Sequence, residues 1–191
     1  MSAKIGDLLK ARSDNGDGCT FSFEYYPPRT PEGVKNLYAR IERMKAMNPL
    51  FVDFTWGAGG STADLTLELT STAQNKMGCN TNMHLTCTNM EASKVDEALQ
   101  ASIDNNICNI VALRGDPPKG QDKWESTEGG FECALDLVKY ISKKHGKHFG
   151  VSVAGCVWRC CCCCCGYRCC ARRLTPSPPP GTRRATRTTS R

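Results

Sequence analysis

The chain has 191 residues, 40% hydrophobic and 23% charged, enough to bury one sizeable core. Its net charge of +6 is unevenly held: eight arginines and no acid follow Gly155, leaving residues 1–155 at about −2 and the tail at +8. The basic total is therefore no sign that the body seeks nucleic acid or an anionic membrane, and no apolar run of about 18 residues exists to span one.

Residues 1–19 are expected to form a helical lead-in. Lys4 and Asp7 interrupt their apolar positions, so they do not make a secretory signal. From residue 20, short β-rich runs alternate with segments of helical period, and the repeat is roughly the 30 residues of a βα unit. Residues 20–25 read as the first strand, halted by Pro27-Pro28. A helix over 32–47 follows, with Val34, Leu37, Ile41 and Met44 on one stripe. A second strand spans 50–55. Its helix over 62–76 places Leu65, Leu69 and Ala73 together, with Ser61 or Thr62 as N-cap.

The third strand (82–86) precedes a helix over 94–105 with a stripe of Val95, Ala98, Leu99 and Ile103. The fourth (108–113) is almost wholly apolar, as a parallel strand covered on both faces requires. A helix over 130–144 carries Ala134, Leu135, Leu137, Val138 and Ile141, and residues 149–154 read as a fifth strand. The alternation leaves two α/β architectures, a (β/α)8 barrel or a doubly wound open sheet. Polar residues decide between them. Glu24, Thr55, Trp56, His84, Arg114 and Asp116 all fall at strand C-terminal ends, where barrels build their sites. The turn after the first strand carries Pro27-Pro28 in place of a dinucleotide-binding Gly-x-Gly-x-x-Gly. The expected fold is a TIM barrel represented by about four and a half βα units over residues 20–155.

The five cysteines before Gly155 (Cys19, Cys79, Cys87, Cys108 and Cys133) are spaced like the reduced thiols of a cytosolic protein. Residues 156–191 break the pattern with an unbroken cysteine run from Cys160 to Cys165, Arg-Arg pairs and Pro178-Pro179-Pro180. Such a composition cannot offset the entropy of ordering it, so disorder is expected, and adjacent cysteines lack the spacers of a tetrahedral metal site. A frameshifted or mis-spliced end accounts for the homopolymer run. No metal site is expected anywhere in the chain.

Four features could carry chemistry. Glu24, between Phe23 and Tyr25, would hold a proton for donation if those aromatics desolvate it; a surface carboxylate at a strand end is the plain alternative. Thr55-Trp-Gly-Ala-Gly-Gly-Ser-Thr62 could present backbone N–H groups to an anion at a helix N-terminus, or could simply be a tight turn. His84, flanked by Met83 and Leu85, is either a satisfied core histidine or a strand-end site residue. Leu113-Arg-Gly-Asp-Pro-Pro118 places a cation and a carboxylate beside a turn. Arg114 can pair with phosphate or a ring oxygen and Asp116 with heterocyclic N–H groups, or the two can merely fix the loop.

Taken in order, Phe21-Ser-Phe-Glu-Tyr-Tyr-Pro-Pro-Arg29, Thr55-Trp-Gly-Ala-Gly-Gly-Ser61, Met83-His-Leu-Thr-Cys-Thr-Asn89, Leu113-Arg-Gly-Asp116 and Glu128-Gly-Gly-Phe131 closely resemble the opening half of the eukaryotic methylenetetrahydrofolate reductases. The resemblance implies a cytosolic flavoprotein of one-carbon metabolism. In its cycle NADH or NADPH reduces FAD, and the flavin then reduces 5,10-methylenetetrahydrofolate to the 5-methyltetrahydrofolate that supplies methionine synthesis. It implies Glu24 as general acid and Asp116 as the carboxylate near pterin and flavin. Thr55, Trp56, His84, Arg114, Gly115, Asp116, Cys133 and Ala134 would be flavin contacts, and Glu24, Tyr25, Tyr26, Pro27, Pro28, Arg29 and Asp116 would line the shared nicotinamide and folate site. It further implies a homo-oligomer in the intact enzyme, with neither nucleic acid nor membrane as partner. After Ala154-Gly155 the family's Tyr-Pro continuation is replaced by Cys156, so the chain by itself is expected to be inactive, free of FAD and poorly soluble. The alternative function is a non-catalytic fragment that associates with full-length subunits. A nucleic-acid binder acting through the arginine tail has weak support, since no aromatic residues interleave the cations.

Overall fold

The computed structural model describes residues 3–16, 18–57, 61–87, 90–115 and 129–154. Ten elements alternate along them: α1 (Ile5–Asp14), β1 (Ser22–Tyr25), α2 (Pro31–Lys45), β2 (Phe51–Phe54), α3 (Ala63–Asn75), β3 (Thr81–Thr86), α4 (Ala92–Asp104), β4 (Asn109–Leu113), α5 (Ala134–His145) and β5 (Gly150–Val153). The five strands form one all-parallel sheet in the order β1-β2-β3-β4-β5. Each strand pairs with the next in sequence, and nowhere does the order reverse as it does in a doubly wound sheet. The topology is that of consecutive units of a (β/α) barrel. Residues 155–191, including the cysteine run and the arginine-rich end, lie outside the described residues.

Strand alternation sorts the side chains. Val52, Phe54, Met83, Leu85, Ile110 and Ala112 face the helices, where Leu37 and Ile41 of α2, Leu69 and Ala73 of α3, Val95 and Leu99 of α4, and Leu137 and Ile141 of α5 cover them. The apolar stripes read from helical period are thus the ones that are buried. Boundaries agree within about two residues except for α5, which begins at Ala134 rather than residue 130. The turn before it passes through Gly129 at φ 72°, and Gly130 forms an antiparallel bridge with Glu91 that draws this segment against the start of α4.

Local chemistry explains the helix starts. Thr30 caps α2 by accepting the Gly33 N–H at 3.1 Å, and Pro31 opens the first turn, where its missing donor costs nothing. Thr62 is the N-cap residue of α3, as expected, but its hydroxyl caps no helix N–H. It accepts the Gly57 N–H at 2.8 Å and shares a hydrogen bond with the Thr66 hydroxyl at 3.2 Å, and so ties the β2–α3 loop to the helix.

The lead-in chain and α1 lie across the N-terminal rim of the sheet. Asn109, 1% exposed, accepts the Ile5 N–H at 2.9 Å and donates to the Ala3 carbonyl at 2.9 Å and the Thr81 carbonyl at 3.1 Å. This asparagine satisfies backbone groups from two segments that would otherwise be stranded at the rim.

Candidate functional site

The face of the sheet turned away from the helices carries the polar side chains. Register places Glu24 beside Asp53 and Asp53 beside Asn82, with His84 two residues further along β3 on the same face. Asn82 donates through Nδ2 to Asp53 Oδ1 at 2.8 Å, and His84 Nε2 lies 3.6 Å from the same oxygen. The Asp53 and His84 side chains are 14% and 15% exposed, and Asn82 is 5% exposed. A carboxylate, an amide and an imidazole are therefore held together on two adjacent strands, largely out of water.

Of its two readings Glu24 takes the second, a surface carboxylate at a strand end. Its side chain is exposed, because Phe23 and Tyr25 alternate to the opposite face and cannot shield it. Phe23 and Tyr25 instead belong to the helix-side core with Leu37, Val52 and Phe54. Burial, then the neighbouring Cys79 thiol, pushes the Tyr25 phenol upward, against a smaller lowering by Arg40. The stretch Glu24, Tyr25, Tyr26, Pro27, Pro28 and Arg29 lines an open cleft of about 490 Å³, closed on its far side by α2. Arg29 and Tyr26 are exposed there, and Pro28 packs so closely on Gly33 that a Cβ at that glycine would approach Pro28 Cβ to 2.8 Å.

At the end of β2, Thr55 turns its N–H to the Tyr25 carbonyl at 3.0 Å, and its own carbonyl accepts Thr66 Oγ1 at 3.0 Å. Trp56 turns its side chain the other way. Its indole is 8% exposed and packs in the helix-side core with Met83, Leu85 and Met90, not on the face carrying His84. The glycine-rich loop begins at Gly57, where a Cβ would lie 2.6 Å from Thr62 Oγ1 and 2.7 Å from Ser61 Oγ, so a larger residue cannot enter without displacing both. Residues 58–60 lie outside the described residues.

A second group forms at the ends of β3 and β4. Cys87 donates its N–H to the Leu113 carbonyl at 3.0 Å and its thiol to the Arg114 carbonyl at 3.8 Å. Burial pushes the Cys87 thiol up to about 11; Cys133 and Asp136 add to the rise, and its own backbone hydrogen bond and the Arg114 guanidinium oppose it. Cys133 and Ala134 begin α5, and the Cys133 thiol donates to Asp136 Oδ2 at 3.3 Å. Arg114 and Cys133 are thus gathered around Cys87 at the positive end of a helix dipole. Gly115 adopts φ 89°, a left-handed conformation that favours glycine. Asp116 lies outside the described residues.

Asp53 and Asn82 were missed by the sequence reading. Asp53 stands inside an apolar strand, and its partner is 29 residues away, so the signal was a charged residue on the alternate face of Phe-Val-Asp-Phe. His145 and His148 play no part here; both stack edge-on against Phe149 near the end of α5. Among the described residues no cluster of three or more His, Cys, Asp or Glu could hold a metal, and no helix is long and apolar enough to cross a membrane.

The family model for methylenetetrahydrofolate reductase matches residues 9–157. The chain is 60% identical over 141 residues to methylenetetrahydrofolate reductase (NADH) 1 of Zea mays, covering 73% of this chain and 24% of the relative. It is 54% identical over 152 residues to the protein of the same name in Arabidopsis thaliana (80% and 26%), and 47% identical over 154 residues to methylenetetrahydrofolate reductase 2 of Saccharomyces cerevisiae (80% and 26%). The chain spans about a quarter of the length of these curated relatives.

Proposed function

The chain belongs to the methylenetetrahydrofolate reductase family, and from that premise we propose that its βα units supply the opening part of a catalytic barrel that uses FAD and NADH or NADPH to reduce 5,10-methylenetetrahydrofolate to 5-methyltetrahydrofolate. The observation that carries the reading is the polar row of Glu24, Asp53, Asn82 and His84 on the face turned away from the helices, in a sheet whose strand order is a barrel's. The residues present fit a flavin. Thr55 and His84 offer hydrogen-bonding groups at strand ends, Gly115 supplies a close backbone approach, and Arg114 with the N-terminus of α5 suits a phosphate. Thr55, His84, Arg114, Gly115, Cys133 and Ala134 would hold the cofactor. Trp56 would contribute through its backbone, since its indole is buried elsewhere. When bound, the flavin supplies the hydride.

The chain's own part is binding and proton handling. Glu24 is proposed to protonate N10 of the folate, which breaks the bridge carbon's bond to that nitrogen and leaves an N5 iminium able to accept hydride. A carboxyl group does this near neutral pH only when desolvated. Glu24 is exposed in this structure, so the covering must come from folate, flavin and further strands closing over the inner face. Asp116 is proposed to bond the pterin, and the cleft over residues 24–29 to admit nicotinamide and folate in turn. The setting proposed is the cytosol and methionine supply, in a homo-oligomer of the complete enzyme.

The chain alone is proposed to be inactive, because this barrel face is open. Joining residues 1–154 to the part of the Zea mays relative that follows its matched region tests the reading. A yellow product forming 5-methyltetrahydrofolate from NADH is expected, and a soluble chimera without flavin would sink it. A second reading, an inactive partner of full-length subunits, is favoured by the exposed Phe21 and Val153 on the outermost strands or beside them, where an added chain could pair. Co-purification of flavin-free chain with intact enzyme would select it.

A further inference from the structure

We propose that Asp53 is a positioning residue that fixes the proton and orientation of the His84 imidazole on the barrel's inner face. Its place in flavin binding rests on the functional reading above; the orientation itself does not.

An ionised carboxylate is an acceptor with no donor, so the Asn82 group facing it at 2.8 Å must be the NH2, and the Asn82 carbonyl points away. That bond pins Asp53 Oδ1 between β2 and β3. The same oxygen lies 3.6 Å from His84 Nε2, too long for a hydrogen bond but close enough for a strong electrostatic preference. A bare nitrogen lone pair facing a carboxylate is repelled, whereas an N–H is attracted. The proton of a neutral His84 therefore resides on Nε2, and Nδ1 is left as an acceptor. With both side chains about 85% covered, little solvent screens the contact.

The backbone makes the arrangement specific. Asp53 pairs in register with Asn82, and His84 stands two residues beyond Asn82, so all three emerge on one face. Shifting β3 by one residue would turn Asn82 and His84 into the helix-side core and bring Met83 to the carboxylate. Asp53 thus acts on the imidazole through a position held by the sheet, and Asn82 keeps its carboxylate from turning away. Glu24, the other ionisable group in the row, lies on the far side of Asp53 from β3 and is exposed.

The test reads the imidazole nitrogens directly, in the full 191-residue chain labelled with 15N-histidine at mildly alkaline pH, where imidazoles are neutral. Two-bond proton–nitrogen correlation serves for soluble protein, and magic-angle spinning for protein that must be sedimented. His84 is expected as a single Nε2-protonated tautomer. Asp53→Asn should lose it, giving the other tautomer or an exchange average; Asp53→Glu should restore it in part; Asn82→Ala should weaken it while leaving the carboxylate in place. Unchanged His145 and His148 signals certify the fold of each variant. A His84 spectrum identical in wild type, Asp53→Asn and Asn82→Ala would overturn the proposal, as would an Nδ1-protonated wild type. In the completed chimera Asp53→Asn should weaken FAD binding and Asp53→Glu recover part of it; flavin failing to bind any version would fault the functional reading and leave the tautomer result standing.

Discussion

The two faces of the sheet are built from alternate residues of the same strands, yet they obey different rules. On the helix side Phe54, Met83, Leu85, Ile110 and Ala112 are completely buried and belong to two packed apolar clusters. On the inner side Glu24, Asp53, Asn82 and His84 stand on three adjacent strands, and the outermost of them is open to water. One face holds the sheet to its helices, and the other is released from that duty to carry charge. If this division is right, substitutions on the helix side should show as stability and those on the inner side as chemistry.

The largest effect should come from Phe54→Ala. Removing a fully buried aromatic ring should cost about 3–5 kcal/mol, and urea denaturation followed by circular dichroism would measure it. A loss below about 1 kcal/mol would mean that the helix-side cluster does not hold this sheet. Glu24→Gln, one residue from that core in sequence, should leave stability within about 0.5 kcal/mol while lowering turnover of the completed barrel by about 10²- to 10⁴-fold. Equal losses of stability and rate would erase the contrast between the faces.

Gly57→Ala addresses the junction between them. The added methyl would meet two hydroxyls inside 2.8 Å, and a cost of about 1–3 kcal/mol is expected by thermal melting, partly relieved by Ser61→Ala. The smallest effect is a pH dependence. Because the folded state holds the Cys87 thiol up to about 11 while an unfolded thiol titrates near 9.0, the unfolded chain sheds its proton first as pH rises. Stability should therefore fall between about pH 9 and 11, and Cys87→Ala should flatten that limb of the profile. Alkylation at neutral pH, mapped by mass spectrometry, should mark the exposed Cys19 well before Cys87.

Much of this was legible in the chain itself. Apolar residues recurring every three or four positions located α2 to α5, because a helix that covers a sheet must present one apolar stripe whatever its neighbours are. Polar residues at strand ends put the expected site at the C-terminal rim for a like geometric reason. What the chain could not supply was a side chain's surroundings. Aromatic neighbours in sequence left Glu24 open to either an enclosed or a surface position, and in a strand those neighbours face the opposite way. Nothing in the residues around Trp56 told that its indole packs in the helix-side core.

The sequence by itself determined that five parallel strands would alternate with helices and which stripe of each helix would be buried, since both follow from periodicities within one segment. Only the tertiary structure decided that Asp53 would meet Asn82 and His84, that Cys87 would gather Arg114 and Cys133, and that Asn109 would clasp the lead-in chain. Those partners lie 27 to 106 residues apart. Their meeting depends on which residue of one strand lies beside which residue of the next, and register is a property of the whole packed sheet that no single strand encodes.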